Sequence, residues 1–184
     1  MAYAATRSAV LNRGKPSAAF LDELIAWGRS AADEIFAPNA ADDVYSSVKA
    51  ALGPWHGAQH RRAVMLEVMR VLAGFESSWN WNAGRDTTNP TSNTPTTTEA
   101  GAWQVSANSM SFGDDLRALV KARVGTDEGL AFQRAMKQDH ELAMEYIARL
   151  LRHTVKHNGP VKRHEIDQWL RRDAVEEFTR LLEG

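Results

Sequence analysis

Apolar residues recur at helical spacing along most of the chain, and clusters of polar, Gly and Pro residues mark the breaks. Phe20, Leu21, Leu24, Ile25, Ala31, Ala32 and Ile35 share one face of a helix that Ser17 can cap and Pro38-Asn39 stops. A shorter helix is expected over 41–52, ended by Gly53-Pro54. Over 61–76 the pattern changes in kind. Val64, Leu66, Val68, Met69, Val71, Leu72 and Phe75 lie all round the helix, which predicts a segment buried on most sides. Beyond Ser111, Asp114 and Asp115 form a first turn ahead of Leu116, Leu119 and Val120; Gly125 ends that helix and Thr126 can cap the next. Leu142, Tyr146, Ile147, Leu150 and Leu151 predict another helix from about Asp139, stopped by Asn158-Gly159-Pro160. Ile166, Trp169, Leu170, Phe178, Leu181 and Leu182 suit one broken or two short helices over 163–183.

Three stretches do not fit helices. Residues 1–16 read as a loosely ordered lead-in ending at Pro16. Residues 82–99, rich in Thr, Asn and Pro, read as a surface loop or small hairpin lobe. Ala102-Trp103-Gln104-Val105 reads as a short strand. The expected fold is therefore mostly α, of the α+β class, in a single domain spanning 1–184.

Composition narrows the chemistry. The chain is 43% hydrophobic and 24% charged, as in ordinary soluble globular proteins. A net charge of -1 gives no basic field for nucleic acid or anionic lipid. Without cysteine there is no disulfide, thiol nucleophile or thiolate metal site. No apolar run approaches the ~20 residues that span a bilayer, so no membrane insertion is expected. The first residues lack a signal peptide's charged start and apolar core, so synthesis in the cytoplasm and export by a specialised route are expected.

Glu76 stands out. A carboxylate at a helix C-terminus faces the negative end of the backbone dipole, and the apolar neighbours Phe75 and Trp79 also disfavour its ionised form. Both effects raise its pKa, as a glycosidase general acid requires. The alternative is an acid that caps the next loop through the Ser77 or Ser78 amide. Trp79, Trp81 and Trp103 follow, residues suited to sugar faces or to core packing. His56 and His60, and His153 and His157, are four apart, with His164 nearby; lacking a metalloprotease order, they read as surface or core histidines, and no metal or other cofactor is expected.

Glu76-Ser77-Ser78 after an apolar helix, followed by Gly101-Ala102-Trp103-Gln104-Val105, resembles the lysozyme-like superfamily, in particular goose-type lysozymes and lytic transglycosylases. The likeness covers about 45 residues, 61 to 106. It departs where those enzymes carry a Tyr-Asn-Ala-Gly-like segment, since this chain reads His157-Asn158-Gly159-Pro160. With its Thr/Asn-rich loop, the pattern is most similar to peptidoglycan glycoside hydrolase effectors delivered by type VI secretion. The resemblance implies a lysozyme-like fold, with a helical lobe around a buried central helix and a small β-hairpin lobe. It implies cleavage of the β-1,4 glycan of peptidoglycan, as an N-acetylglucosaminidase or a muramidase, with Glu76 as general acid and Ser77, Trp79, Trp103, Gln104 and Asn158 on the substrate side. It also implies action in the periplasm of a target bacterium and a cognate immunity protein occluding the cleft. A phage-type cell-wall lysin, a lytic transglycosylase and a non-catalytic glycan-binding module are the alternatives. A second carboxylate, where the mechanism uses one, is Glu99, next to the expected strand, or Asp86 in the loop.

Overall fold

The longest element is α4, Ala58–Ser77, a run of 20 residues that extends about 30 Å. In the computed structural model, which describes residues 3–153 and 159–184, every residue of α4 from Arg61 to Gly74 is buried. The all-round apolar pattern is thus read correctly, and the charged residues inside it explain how such burial is sustained. Arg61 donates to the carbonyls of Phe36 and Ala37. Arg62 donates to those of Gly28 and Ala31 and to Asp33. Arg70 holds both oxygens of Glu67 at 2.7 Å and also reaches the Ser8 carbonyl. Each buried guanidinium has partners, the condition under which a charge is tolerated away from water.

The other helices wrap this axis. α1 (Ala18–Ser30), α7 (His140–Arg152) and α8 (Arg172–Glu183) pack directly on α4, with α8 making the most extensive contact. α5 (Asp114–Val124) and α6 (Gly129–Gln138) pack on α7. The short α2 (Val44–Ser47) and α3 (Lys49–Leu52) lead from the end of α1 into α4. The described residues are mostly helical, and none of these helices is long and apolar enough to cross a membrane.

Capping explains most boundaries. Ser17 accepts from the Phe20 amide and Gly125 ends α5 in the left-handed region, both as anticipated, and Asp139, where the next helix was expected to start, accepts from the Leu142 amide. Elsewhere the sequence pattern ran too far. The first helix stops at Ser30, Ala31 is extended, and a short 3₁₀ turn over Asp33–Ile35 follows, so that the Gly28 and Ala31 carbonyls are left for Arg62. The helix expected over 41–52 is two short ones, the first capped by Asp43. Thr126 accepts from the Glu128 amide in a turn and does not cap α6, which starts at Gly129. The predicted stop at 158–160 begins outside the described residues; α7 is helical to Arg152.

Two expectations are corrected outright. Residues 3–16 are not a loose lead-in: Thr6 and Val10 are fully buried, Glu177 of α8 accepts from the Ala4 and Thr6 amides, and Arg70 takes the Ser8 carbonyl. The strand over 102–105 is a tight turn closed by one antiparallel bridge, Ala100 to Val105. No β-hairpin lobe forms among the described residues, because turns fill the Thr/Asn-rich loop. Asp86 accepts from Thr88, Asn89 from Thr91, and Thr94 bonds Thr97, each consuming backbone groups that a ladder would need.

Candidate active site

Glu76 lies in the last turn of α4, where the chain leaves the core through two consecutive left-handed residues, Ser78 (φ 59°) and Trp79 (φ 59°). This reversal folds Trp79 back under the helix. Its ring packs against Gly74, where an added Cβ would come within 2.5 Å of the indole, and its Nε1 donates to the Arg70 carbonyl at 2.8 Å. Trp79 is therefore core, not a sugar platform. Ser77 likewise faces inward: its hydroxyl donates to the Ala102 carbonyl at 2.7 Å and accepts from the Asn80 amide, tying the end of α4 to the 100–105 turn.

That turn forms the opposite wall. Gly101 (φ 76°) sits against the Met136 carbonyl, too close for any side chain, and Gln104 is held in the left-handed region (φ 46°). For a non-glycine residue this conformation stores strain, and such strain clusters at functional positions. Gln104 donates its side-chain amide to the Gly101 carbonyl. Trp103 is buried, with its Nε1 on the Met69 carbonyl at 2.8 Å, and only its rim reaches the cleft. Trp81 is half-buried and stacks on His140, with ring centroids 3.8 Å apart.

Glu76 and Gln104 mark the waist of a two-part groove. On one side is an apolar cleft of about 260 Å³, walled by Leu72, Trp103, Phe112, Ile147, Leu151 and Val161. On the other is a wider polar basin of about 480 Å³, lined by Arg13, Arg85, Asp86, Asn89 and Glu99. Glu76 and Gln104 line both. The structure thus brings together Glu76, Gln104 and both candidate second carboxylates, and it leaves Ser77 and Trp79 out of the groove lining.

The Glu76 carboxyl is half-buried and receives no hydrogen bond among the described residues. Its pKa is pushed up to about 7. Desolvation is the main cause; Arg163 and Arg13 pull the other way, while Glu165 and Glu99 reinforce the rise. Glu99 is half-buried and fixed by two neutral donors, Asn89 Nδ2 at 2.9 Å and the buried Ser92 hydroxyl. Asp86 is exposed, and its carboxylate is held below the usual range by the Thr88 hydroxyl and amide, so it serves its own turn.

Asn158 and His157 lie outside the described residues. The other histidines have partners outside the groove lining: His153 bonds Asp115, His164 bonds Asp167, His140 bonds Glu23, and His60 accepts from the His56 amide. No group of three or more potential metal ligands occurs among the described residues. Sequence reasoning missed Arg13, Arg163 and Glu165, which reach the acid only through tertiary folding. It also missed Asn89 and Ser92, whose Thr/Asn-rich context signals turns but not which acid they hold. Comparison with protein-family models, curated proteins and solved structures returned no match.

Proposed function

We propose that this chain is a peptidoglycan glycoside hydrolase of lysozyme-like fold, cleaving the β-1,4 glycan backbone with Glu76 as general acid. The observation that carries the reading is the Glu76 carboxyl itself: half-buried, free of hydrogen bonds among the described residues, with a pKa of about 7, at the waist of an open groove. A general acid must still hold its proton near neutral pH and must offer it to the glycosidic oxygen, and an unbonded carboxyl can do both. As the C1–O bond breaks, Glu76 delivers its proton to the leaving oxygen. Glu99, fixed by Asn89 and Ser92 on the basin side, is the group suited to activate water or to stabilise the developing positive charge. Asp86 is the weaker candidate because its turn consumes it.

A second reading has one specific support. Both Glu99 oxygens already accept hydrogen bonds, which favours a single-acid route in which the substrate's own 6-hydroxyl attacks and leaves an anhydro sugar, as in lytic transglycosylases. On either reading the setting we infer is a type VI secretion effector acting in a rival's periplasm, with an immunity protein that fills the groove; a phage-type lysin would use the same chemistry. Purified sacculi test the proposal. The parent protein should solubilise them, Glu76→Gln should not, and mass spectrometry of the new ends separates muramidase, N-acetylglucosaminidase and anhydro products. Full activity in Glu76→Gln removes Glu76 from the catalytic role, and sacculi left intact by the parent protein favour a glycan-binding module.

A further inference from the structure

Two arginines from distant parts of the chain line the polar basin. Arg13 sits in a tight turn of the N-terminal segment, closed by backbone bonds from Val10 to Gly14 and from Arg13 to Val10 and held at either end by buried Val10 and Pro16. Arg85 comes two residues after Ala83, whose carbonyl accepts from the Gly101 amide at 2.9 Å and so ties this stretch to the turn that presents Gln104. Both arginines line the basin of about 480 Å³ together with Glu76 and Gln104. Among the described residues neither guanidinium makes a hydrogen bond or an ion pair. Lys137, likewise unpaired, stands at the basin's edge, its Nζ 3.2 Å from where a Cβ on Gly84 would lie.

The acids of the basin do not take these cations. Both Glu99 oxygens accept from Asn89 and Ser92, and Asp86 accepts from Thr88 within its own turn. Each guanidinium therefore keeps its five donors for a ligand, and its planar fork matches a carboxylate. One exposed arginine is an ordinary solvated cation. Two that line a single concavity beside the acid form a charge pattern that the substrate has to meet. On a peptidoglycan strand the acidic groups belong to every second sugar: the lactyl substituent of each muramyl residue ends in a carboxylate or continues into a stem peptide that carries carboxylates. We propose that Arg13 and Arg85 form a carboxylate subsite that reads this acidic substituent on a muramyl residue seated in the basin. The inference rests on the peptidoglycan reading and narrows it. Because the two sugars alternate, the neighbour across Glu76, in the apolar cleft, is the glucosamine unit.

The test measures binding rather than turnover, by calorimetry and by NMR of the arginine Nε–H groups, in the Glu76→Gln background. Three probes are compared: the glucosaminyl-muramic acid disaccharide with its lactyl carboxylate free, the same disaccharide extended by an L-Ala-D-Glu stem, and its lactyl methyl ester as the neutral reference. At least one acidic probe should bind about ten-fold more tightly than the ester, the sum of two exposed charge pairs, and should shift the Nε–H signals of Arg13 and Arg85. The tighter acidic probe shows which carboxylate is read. Replacing both arginines by Gln should bring the acidic probes to the affinity of the ester without altering the thermal melt. An ester that binds as tightly as both acids overturns the proposal, as does a preference for acid that survives in the double variant. Failure of the hydrolase reading is recognised separately, by sacculi that the parent protein leaves intact or by full activity of Glu76→Gln.

Discussion

Replacing Glu76 by Gln should stabilise the protein above neutral pH while leaving acid stability unchanged. The carboxyl binds its proton more tightly in the folded state, with a pKa of about 7, than in the unfolded chain, where the value is that of an ordinary glutamate, 4.5. Between those values the folded state holds more protons than the unfolded one, so stability falls as pH rises. Below the unfolded pKa both states are protonated and the group contributes no pH dependence; above the folded pKa the full cost is present. At 1.36 kcal/mol for each pKa unit, the difference of about 2.5 corresponds to roughly 3 kcal/mol, an upper figure that partial exposure of the carboxyl reduces to about 2. For a chain of this length that is a rise in Tm of roughly 4–8 °C. Thermal melts of the parent and Glu76→Gln at pH 4, 6 and 8 check this. Taking the difference between the two proteins cancels all groups that titrate alike in both. The gap should be near zero at pH 4, should open through pH 6 and should level off above pH 7. A gap that is independent of pH, or a variant less stable than the parent at pH 8, refutes the assignment of a desolvated, unbonded carboxyl.

Two further outcomes concern the support beneath the site. Glu67→Ala leaves the Arg70 guanidinium buried without its carboxylate and strips a partner from the Arg171 amide, so denaturant unfolding should show a loss of about 3–5 kcal/mol; a loss under about 1 kcal/mol would mean that Arg70 finds water or another acceptor. Gly74→Ala drives a methyl into the Trp79 ring, 2.5 Å from Cζ2, and should cost about 1–3 kcal/mol with a shift in tryptophan emission. Unchanged stability and emission would show that Trp79 is not packed beneath the end of α4.

The periodicity over 61–76 was sufficient to predict a buried helix because residues on every side of it are apolar, and only the protein interior satisfies that pattern. The placement of Glu76 at its end was legible for the same reason, and so were the cap at Ser17, the stop at Gly125 and the helix start near Asp139, which depend on neighbours a few residues away. The N-terminal segment escaped notice because its anchors, Glu177 and Arg70, lie 171 and 62 residues along the chain from the groups they bind. Trp79 was misread because its type suits both a sugar face and a core. Two left-handed residues turned it inward, and sequence does not show which way a chain reverses.

The sequence by itself determined a mostly helical chain with a single acid at the end of its most buried helix. Tertiary structure decided what surrounds that acid. Arg13, Glu99, Arg163 and Glu165 come from three separate segments, and their fields reach Glu76 because those segments fold against it. Desolvation belongs to the assembled groove rather than to any local run of residues. The pKa of the acid, and hence whether it holds a proton at pH 7, is therefore a property of the fold.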